Sequence, residues 1–242
     1  GRGRVMPDQV RDVIGALAAF DGTMATDRPE PLVATAWVRE LARLVYADEL
    51  GPDLFAAYWD QRQVFMMSVL SGRNGAEAWC GNARQAPAGG DCNALVSRAL
   101  DLALEDLGKR YGADWRNWRW GVAHDARSEH RPFARVPALA RIFDVRVPVP
   151  GDTYTVNVNR HTIRNAAEPF VSRHAASLRA IYDMADPERS LFIHSTGQSG
   201  LPTSRFYRNL AERWAKVEFL PMRTRRADIE RDAIGTLTIV PR

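Results

Sequence analysis

The chain has 242 residues, 45% of them apolar and 26% charged, which suffices for one large core or two small ones. Lysine and arginine exceed aspartate and glutamate by only 33 − 29 = 4, and the cations are dispersed among acids, which argues against a nucleic-acid-binding surface. No run approaches the roughly 18 apolar residues of a membrane span. The opening Gly1-Arg2-Gly3-Arg4-Val5-Met6-Pro7 has neither an initiating Met nor the apolar stretch of a signal peptide, and it reads as the interior of a precursor or as a trimmed chain.

The first half reads as four helices. Val10, Val13, Ile14 and Leu17 recur at helical spacing until Asp21-Gly22 interrupts them. A second helix opens at Pro31, which suits a first turn because it has no N–H to leave unpaired, and carries Val33, Trp37, Leu41 and Leu44 on one face. Asp53 is positioned to cap a third, with Phe55, Tyr58, Phe65 and Val69 turned inward before Ser71-Gly72. A fourth begins at Asp91 or Cys92, runs through Leu95, Ala99, Leu102, Ala103 and Leu107, and stops near Gly112.

Cys80 and Cys92 flank a loop rich in Gly, Ala and Asn, flexible enough to bring two thiols together. A disulfide across it is worth roughly 3 kcal/mol on the chain-entropy account and implies an oxidising compartment, periplasmic or secreted. Two unpaired thiols are the other reading; the spacing excludes a CxxC metal or redox site.

From about Trp115 the pattern changes to strands and turns. Tyr154, Val156 and Val158 alternate with polar neighbours, predicting a strand. Leu178 to Met184 and Leu191 to His194 predict an antiparallel hairpin about the turn Ala185-Asp186-Pro187-Glu188. Thr203 or Ser204 caps an expected helix through Phe206, Leu210 and Trp214, and Leu237 with Ile239 suggests a last strand. The domain reading is therefore a helical subdomain, 1–114, followed by a β-rich part, 115–242.

Three local features invite a chemical reading. His194-Ser195-Thr196-Gly197-Gln198-Ser199-Gly200 sets a His near hydroxyls and glycines, but it lacks the G-x-S-x-G of a nucleophile elbow, since Leu201 stands where the second glycine would be; a tight turn after a strand fits better. The histidines His124, His130, His161, His174 and His194 lack HExxH spacing or an acidic cluster, so none marks a metal site. Trp115, Trp118 and Trp120 alternate with Arg116 and Arg119, yet no wider basic stripe accompanies them, and burial is the expected role.

The order of signals is more selective than any one of them. Ala19-Phe20-Asp21-Gly22, then Trp118-Arg119-Trp120-Gly121 with His124 and His130-Arg131-Pro132, then Ser177-Leu178-Arg179 with Asp183, then Gly197-Gln198-Ser199-Gly200 with Pro202 and Ser204, resemble the C-terminal part of penicillin acylase family enzymes over nearly the whole chain. Phe20 departs from the Trp usual before Asp-Gly, and Phe206 and Asn209 replace the usual His and Asp after the glycine turn.

That family belongs to the N-terminal-nucleophile hydrolases. The resemblance implies an α+β fold, a helical subdomain followed by a mainly antiparallel β part within an αββα architecture. It implies a self-cleaving precursor whose β-subunit begins with a Ser that uses its own α-amine as base, with backbone or amide donors for the oxyanion. Nucleophile, oxyanion donors and calcium ligands are then expected outside this chain, which holds no cofactor of its own and is inactive alone. Its expected partners are the upstream part of the β-subunit, the α-subunit of the same precursor, and a small acyl amide: a β-lactam acyl side chain, an acyl-homoserine lactone or similar. Inside the chain the resemblance gives one residue a catalytic part: Asp183, an acid that orients a His near the nucleophile. The alternative is a non-catalytic binding or interaction module.

Overall fold

The computed structural model describes residues 7–81 and 91–241; the segment before Pro7 and the glycine-rich part of the loop between the cysteines lie outside the described residues. The chain is α+β and groups into two compact units, one of residues up to Ala126 with Pro148–His174, the other of Arg127–Val147 with the residues from Ala175 onward.

In the first unit, α1 (Pro7–Ala18) buries Val13 and half-buries Val10 and Leu17, while Ile14 faces solvent. Helix α2 (Glu30–Tyr58) has Pro31 in its first turn and buries Leu32, Val33, Ala36, Leu41 and Val45. Gly51, at φ 69°, takes a left-handed conformation that side-chain-bearing residues resist, and Pro52 follows it, so the helix kinks there. The single third helix expected over 53–70 is thus divided. Residues 53–58 continue α2 beyond the kink, and α3 (Gln63–Leu70) starts anew. Trp59 takes the inward place after the helix ends, so Tyr58, expected inside, is exposed.

Helix α4 (Cys92–Tyr111) follows its pattern closely: the Asp91 carboxylate accepts the Asn93 N–H at 2.9 Å, and Ala99, Ala103 and Leu107 are buried. Cys80 and Cys92 are disulfide-bonded, with Cα atoms 4.9 Å apart, tying the start of α4 to a 3₁₀ segment over Arg73–Cys80.

Two apolar clusters hold these helices. One joins Val13, Leu32, Val33, Leu100, Leu104 and Leu107 to Trp115, Trp118, Trp120 and Phe170; the other joins Leu41, Val45, Tyr46, Trp59, Val69 and Ile163. Residues on both sides of position 114 therefore share one core. The tryptophans contribute area rather than an exposed stacking platform, and Trp118 Nε1 and Trp120 Nε1 donate to Gly112 O (2.8 Å) and Gly151 O (3.0 Å).

Beyond α5 (Trp120–Ala123), strands β1 (Asp125–Ser128), β2 (Val145–Pro148), β3 (Asn159–His161) and β4 (Ser172–Ala175) form a sheet ordered β2-β1-β4-β3; β1 and β4 are parallel, with Ala126 opposite Ser172. The strand expected through Tyr154, Val156 and Val158 does not form. Asp152 Oδ1 accepts the N–H of Tyr154 (2.7 Å) and of Thr155 (3.0 Å), and Thr155 Oγ1 donates to Asn157 O (3.0 Å). These short-range bonds draw the backbone into bends and leave Val156 fully exposed.

In the second unit, α6 (Pro137–Phe143) lies between β1 and β2 in the chain, and β5 (Leu178–Ile181) and β6 (Leu191–His194) make the expected antiparallel hairpin, Leu178 opposite His194 and Ile181 opposite Leu191. A two-residue strand, β7 (Leu220–Pro221), adds to β6. The helix expected from Thr203 or Ser204 is mostly turns. Ser204 Oγ accepts the nearby Phe206 N–H at 3.1 Å instead of starting a helix, and only α7 (Ala211–Ala215) is helical, burying Trp214. The strand expected at Leu237 and Ile239 is absent; both side chains are exposed, and the last element is α8 (Arg226–Asp232).

Candidate functional site

Asp183 lies just past the end of β5. Its Oδ1 accepts the N–H groups of Ala185 (3.0 Å) and Asp186 (3.1 Å), its own N–H donates to Ser190 Oγ (3.1 Å), and its Oδ2 is 3.2 Å from Arg189 Nε. The backbone donors at Asp186 and Ala185, ahead of the Arg189 charge, hold the carboxyl below the ordinary aspartate value. One carboxylate oxygen thus orders the hairpin turn, and the other makes an ion pair with an arginine whose side chain is largely exposed.

The hydroxyl and imidazole of the glycine turn are not brought together. His194 Nδ1 faces the Thr196 N–H and hydroxyl, each at 3.4 Å, while Ser199 Oγ accepts the Leu201 N–H at 3.1 Å. Gly197 is there for close approach: a Cβ at this position would lie 2.1 Å from Phe206 O and 2.6 Å from Tyr207 O. The segment is a packed turn, as its departure from the nucleophile-elbow pattern predicts.

A buried polar arrangement that no spacing in the sequence marks lies among the described residues. In the first unit, His124 and His161 meet with ring centroids 5.7 Å apart, and Trp120, one turn of helix before His124, stacks on it at 4.2 Å. His124 Nδ1 donates to Phe170 O (2.6 Å), because a carbonyl only accepts; this fixes the tautomer and leaves Nε2 a buried acceptor without a partner. His161 has Gln61 Nε2 at 3.3 Å from its Nε2 and Thr153 Oγ1 at 3.4 Å from its Nδ1, consistent with the Gln61 amide donating and the ring N–H facing the hydroxyl. Burial pushes the His124 imidazole down to about 3 and that of His161 to about 4. Both are neutral at physiological pH. The pair's hydroxyl contact, Thr153 Oγ1 with His161 Nδ1 at 3.4 Å, lacks the short separation that proton transfer needs, so the pair is framework.

His130 stacks on Phe133 at 4.8 Å and meets Phe143 and Tyr207 in the second unit, and His174 is exposed. Between α2 and α4 a surface cavity of about 350 Å³ is lined by charged residues, but its cations are matched by acids on the same helices, Arg43 by Glu40 (2.6 Å), Lys109 by Glu105 (2.6 Å) and Arg110 by Asp106 (2.8 Å). Glu40 also takes Arg39 at 2.5 Å, so each of the four cations that line the cavity is already held by a carboxylate. Among the described residues no group of three or more His, Cys, Asp or Glu is placed to hold a metal ion.

Comparison with known proteins complements this geometry. The family profile described as penicillin amidase matches residues 4–231. An acyl-homoserine lactone acylase, QuiP, of Pseudomonas putida is 30% identical over 97% of the chain, and the penicillin acylase 2 proenzyme of a Pseudomonas species is 29% identical over 60% of it. The chain spans 29% of the length of the first and 18% of the second. Among solved structures, a thermostable penicillin G acylase from Alcaligenes faecalis superposes with a TM-score of 0.55 at 16% identity, over 98% of this chain and 43% of its own. That likeness bears on the fold alone.

Proposed function

The chain belongs to the penicillin amidase family, and on that premise we propose that it is the C-terminal segment of an acylase that hydrolyses an acyl amide bond with a serine nucleophile lying in sequence outside it. The observation that carries this reading is the match of residues 4–231 to the penicillin amidase profile, beside relatives of which the chain spans less than a third. The site geometry supports it from the other side: His194 and Ser199 are each bonded to their own turn, and the buried histidines are held as framework.

The segment's part in the reaction is to supply scaffold around chemistry assembled with the rest of the precursor. That remainder, upstream β-subunit sequence and the α-subunit, would bring the N-terminal Ser, its α-amine as base and the oxyanion donors. Any calcium of the whole enzyme would be held there too. For Asp183 we assign a positioning role: Oδ1 is committed to the turn, while Oδ2, which meets the exposed Arg189, is the oxygen available to orient a histidine of the upstream sequence. The substrate class is an acyl amide, either an acyl-homoserine lactone or a β-lactam with an acyl side chain. The Cys80–Cys92 bond favours an oxidising location, periplasmic or extracellular.

Coexpression of this chain with the upstream sequence of its gene tests the reading. Hydrolysis of acyl-homoserine lactones or phenylacetyl amides by the assembled protein, and none by the chain alone, is the expected result. Turnover at enzymatic rates by the isolated chain would overturn it.

A further inference from the structure

The second unit gathers cations that the sequence scatters. Phe143, at the end of α6, meets Phe133 at 4.8 Å and His130 at 6.0 Å, and its carbonyl accepts the Tyr207 hydroxyl at 2.6 Å. His130 in turn stacks on Phe133 and lies 5.9 Å from Tyr207. Three stretches of chain are thereby pinned together: the 3₁₀ segment Phe133–Arg135 with the residues just before it, the end of α6, and the turn over 205–208.

Five exposed arginines come from these stretches: Arg131, Arg135, Arg141, Arg205 and Arg208. Arg208 Nη2 reaches Ile142 O at 3.4 Å, and the Arg205 guanidinium lies 4.6 Å from the centre of the Phe206 ring. Among the described residues none of the five is ion-paired with a carboxylate. Residues 129–144 and 201–209 hold two acids, Glu129 and Asp144. Asp144 is buried and spent locally, accepting the His130 N–H and Arg146, each at 3.1 Å. On the helices, by contrast, cations are neutralised in pairs, as Lys109 is by Glu105 and Arg226 by Glu230.

Apolar side chains stand beside these cations. Val136 (48% exposed) follows Arg135, Ile142 (57%) follows Arg141, and Phe206 (38%) follows Arg205. A polyanion in water would pair with the guanidinium groups and leave the apolar tips wet. An anionic bilayer receives both, headgroup phosphates at the planar donor forks and the acyl boundary at the apolar tips.

We infer that this face of the second unit docks peripherally on an anionic phospholipid surface, its five unpaired arginines taking phosphates while Val136, Ile142 and Phe206 dip below the headgroups. The attachment is a sum of small increments, roughly fivefold in affinity for each cation near the surface. Salt weakens it by screening.

Cosedimentation of the coexpressed assembly with vesicles containing phosphatidylglycerol, and with vesicles of phosphatidylcholine alone, is the test. Binding to the first and not the second is expected, falling steeply between about 0.05 M and about 0.5 M salt. Arg135→Gln with Arg141→Gln should weaken binding about 25-fold, and Ile142→Ser about fivefold. Arg11→Gln with Arg98→Gln removes the same charge from exposed positions of the first unit and should leave binding unchanged. All these side chains are exposed, so the variants should melt with the wild type. An assembly that ignores phosphatidylglycerol vesicles would overturn the inference and give this face to a contact within the protein. Equal weakening by the two arginine pairs would overturn it in favour of overall charge. Binding to dextran sulfate as tight as to vesicles, with Ile142→Ser without effect, would overturn it in favour of a soluble polyanion. The acylase reading stands or falls separately, on hydrolysis by the same assembly without vesicles.

Discussion

His124 and His161 meet edge to face in the core of the first unit, their ring planes at 87°, with Trp120 stacked on one side of His124. Both imidazoles are held neutral by burial, with pKa values of about 3 and about 4, below the roughly 6.5 of an unfolded chain. The unfolded state therefore takes up protons first as pH falls. Stability is complete above about pH 6.5 and drains below it until the folded-state values are reached. Asp152 and Asp60 oppose the shift of His161 without cancelling it. At pH 5 the loss should be about 2 kcal/mol for each imidazole. Urea midpoints measured between pH 7 and pH 5 should fall accordingly, and His161→Gln should remove about half of the dependence. A midpoint flat across this range would contradict the assignment.

The Cys80–Cys92 bond closes a 12-residue separation and fastens α4 to the 3₁₀ segment that packs Trp79 and Ala76 against the second apolar cluster. Reduction, or Cys80→Ser with Cys92→Ser, should cost about 3 kcal/mol, mostly by freeing the unfolded chain. The urea midpoint with and without dithiothreitol measures it. In the serine variant dithiothreitol should have no further effect, and an unchanged midpoint in the reduced wild-type chain would show that the bond stabilises nothing.

Gly197 and Ser199 stand two residues apart and should respond in opposite ways. Gly197→Ala sets a Cβ against two backbone carbonyls that cannot turn aside as a side chain would, and should destabilise the second unit by about 3 kcal/mol or more. Gly200→Ala, which meets nothing within 4 Å, is the neutral comparison. Ser199→Ala removes only an acceptor for the Leu201 N–H. In the assembled acylase it should leave kcat within about twofold, since one exposed turn bond is worth about 1 kcal/mol to stability and nothing to the chemistry. A loss of a thousandfold would restore Ser199 as a nucleophile.

Where local chemistry decides structure, the sequence was readable. Asp91, the periodic leucines and alanines, and Gly112 are all of α4, and the β5–β6 register follows from two apolar runs about a polar turn. Two expectations fail for one cause, short polar side chains that bond to their own backbone: Asp152 dissolves the alternation at Tyr154, Val156 and Val158, and Ser204 replaces a helix start with a turn, whereas the third helix divides for another, the Gly51-Pro52 kink. The His124–His161 pair was hidden because its members come from different elements 37 positions apart; only Trp120 and His124, one helical turn apart, left a local trace. For the chemistry, motif order carried the family, while no spacing within the chain discloses what an upstream histidine would meet.

Asp183 is where turn and chemistry can be separated experimentally. Asp183→Asn keeps a carbonyl oxygen for the N–H groups of Ala185 and Asp186 but removes the charge that pairs with Arg189. The hairpin should therefore persist, with a melting temperature within a few degrees of wild type. Asp183→Ala loses both backbone acceptors and should melt clearly lower. If Oδ2 orients an upstream histidine, the Asn variant of the assembled protein should lose about tenfold in kcat with KM little changed, because a neutral amide holds that imidazole less firmly in place than a carboxylate does. Its pH–rate profile should shift at the acid limb, where the histidine titrates at a lower pH without the neighbouring carboxylate. Asp183→Glu should recover part of the rate. A variant in which Asn matches wild type in kcat and in pH profile, while Ala lowers only the melting temperature, would confine Asp183 to the turn that it visibly holds.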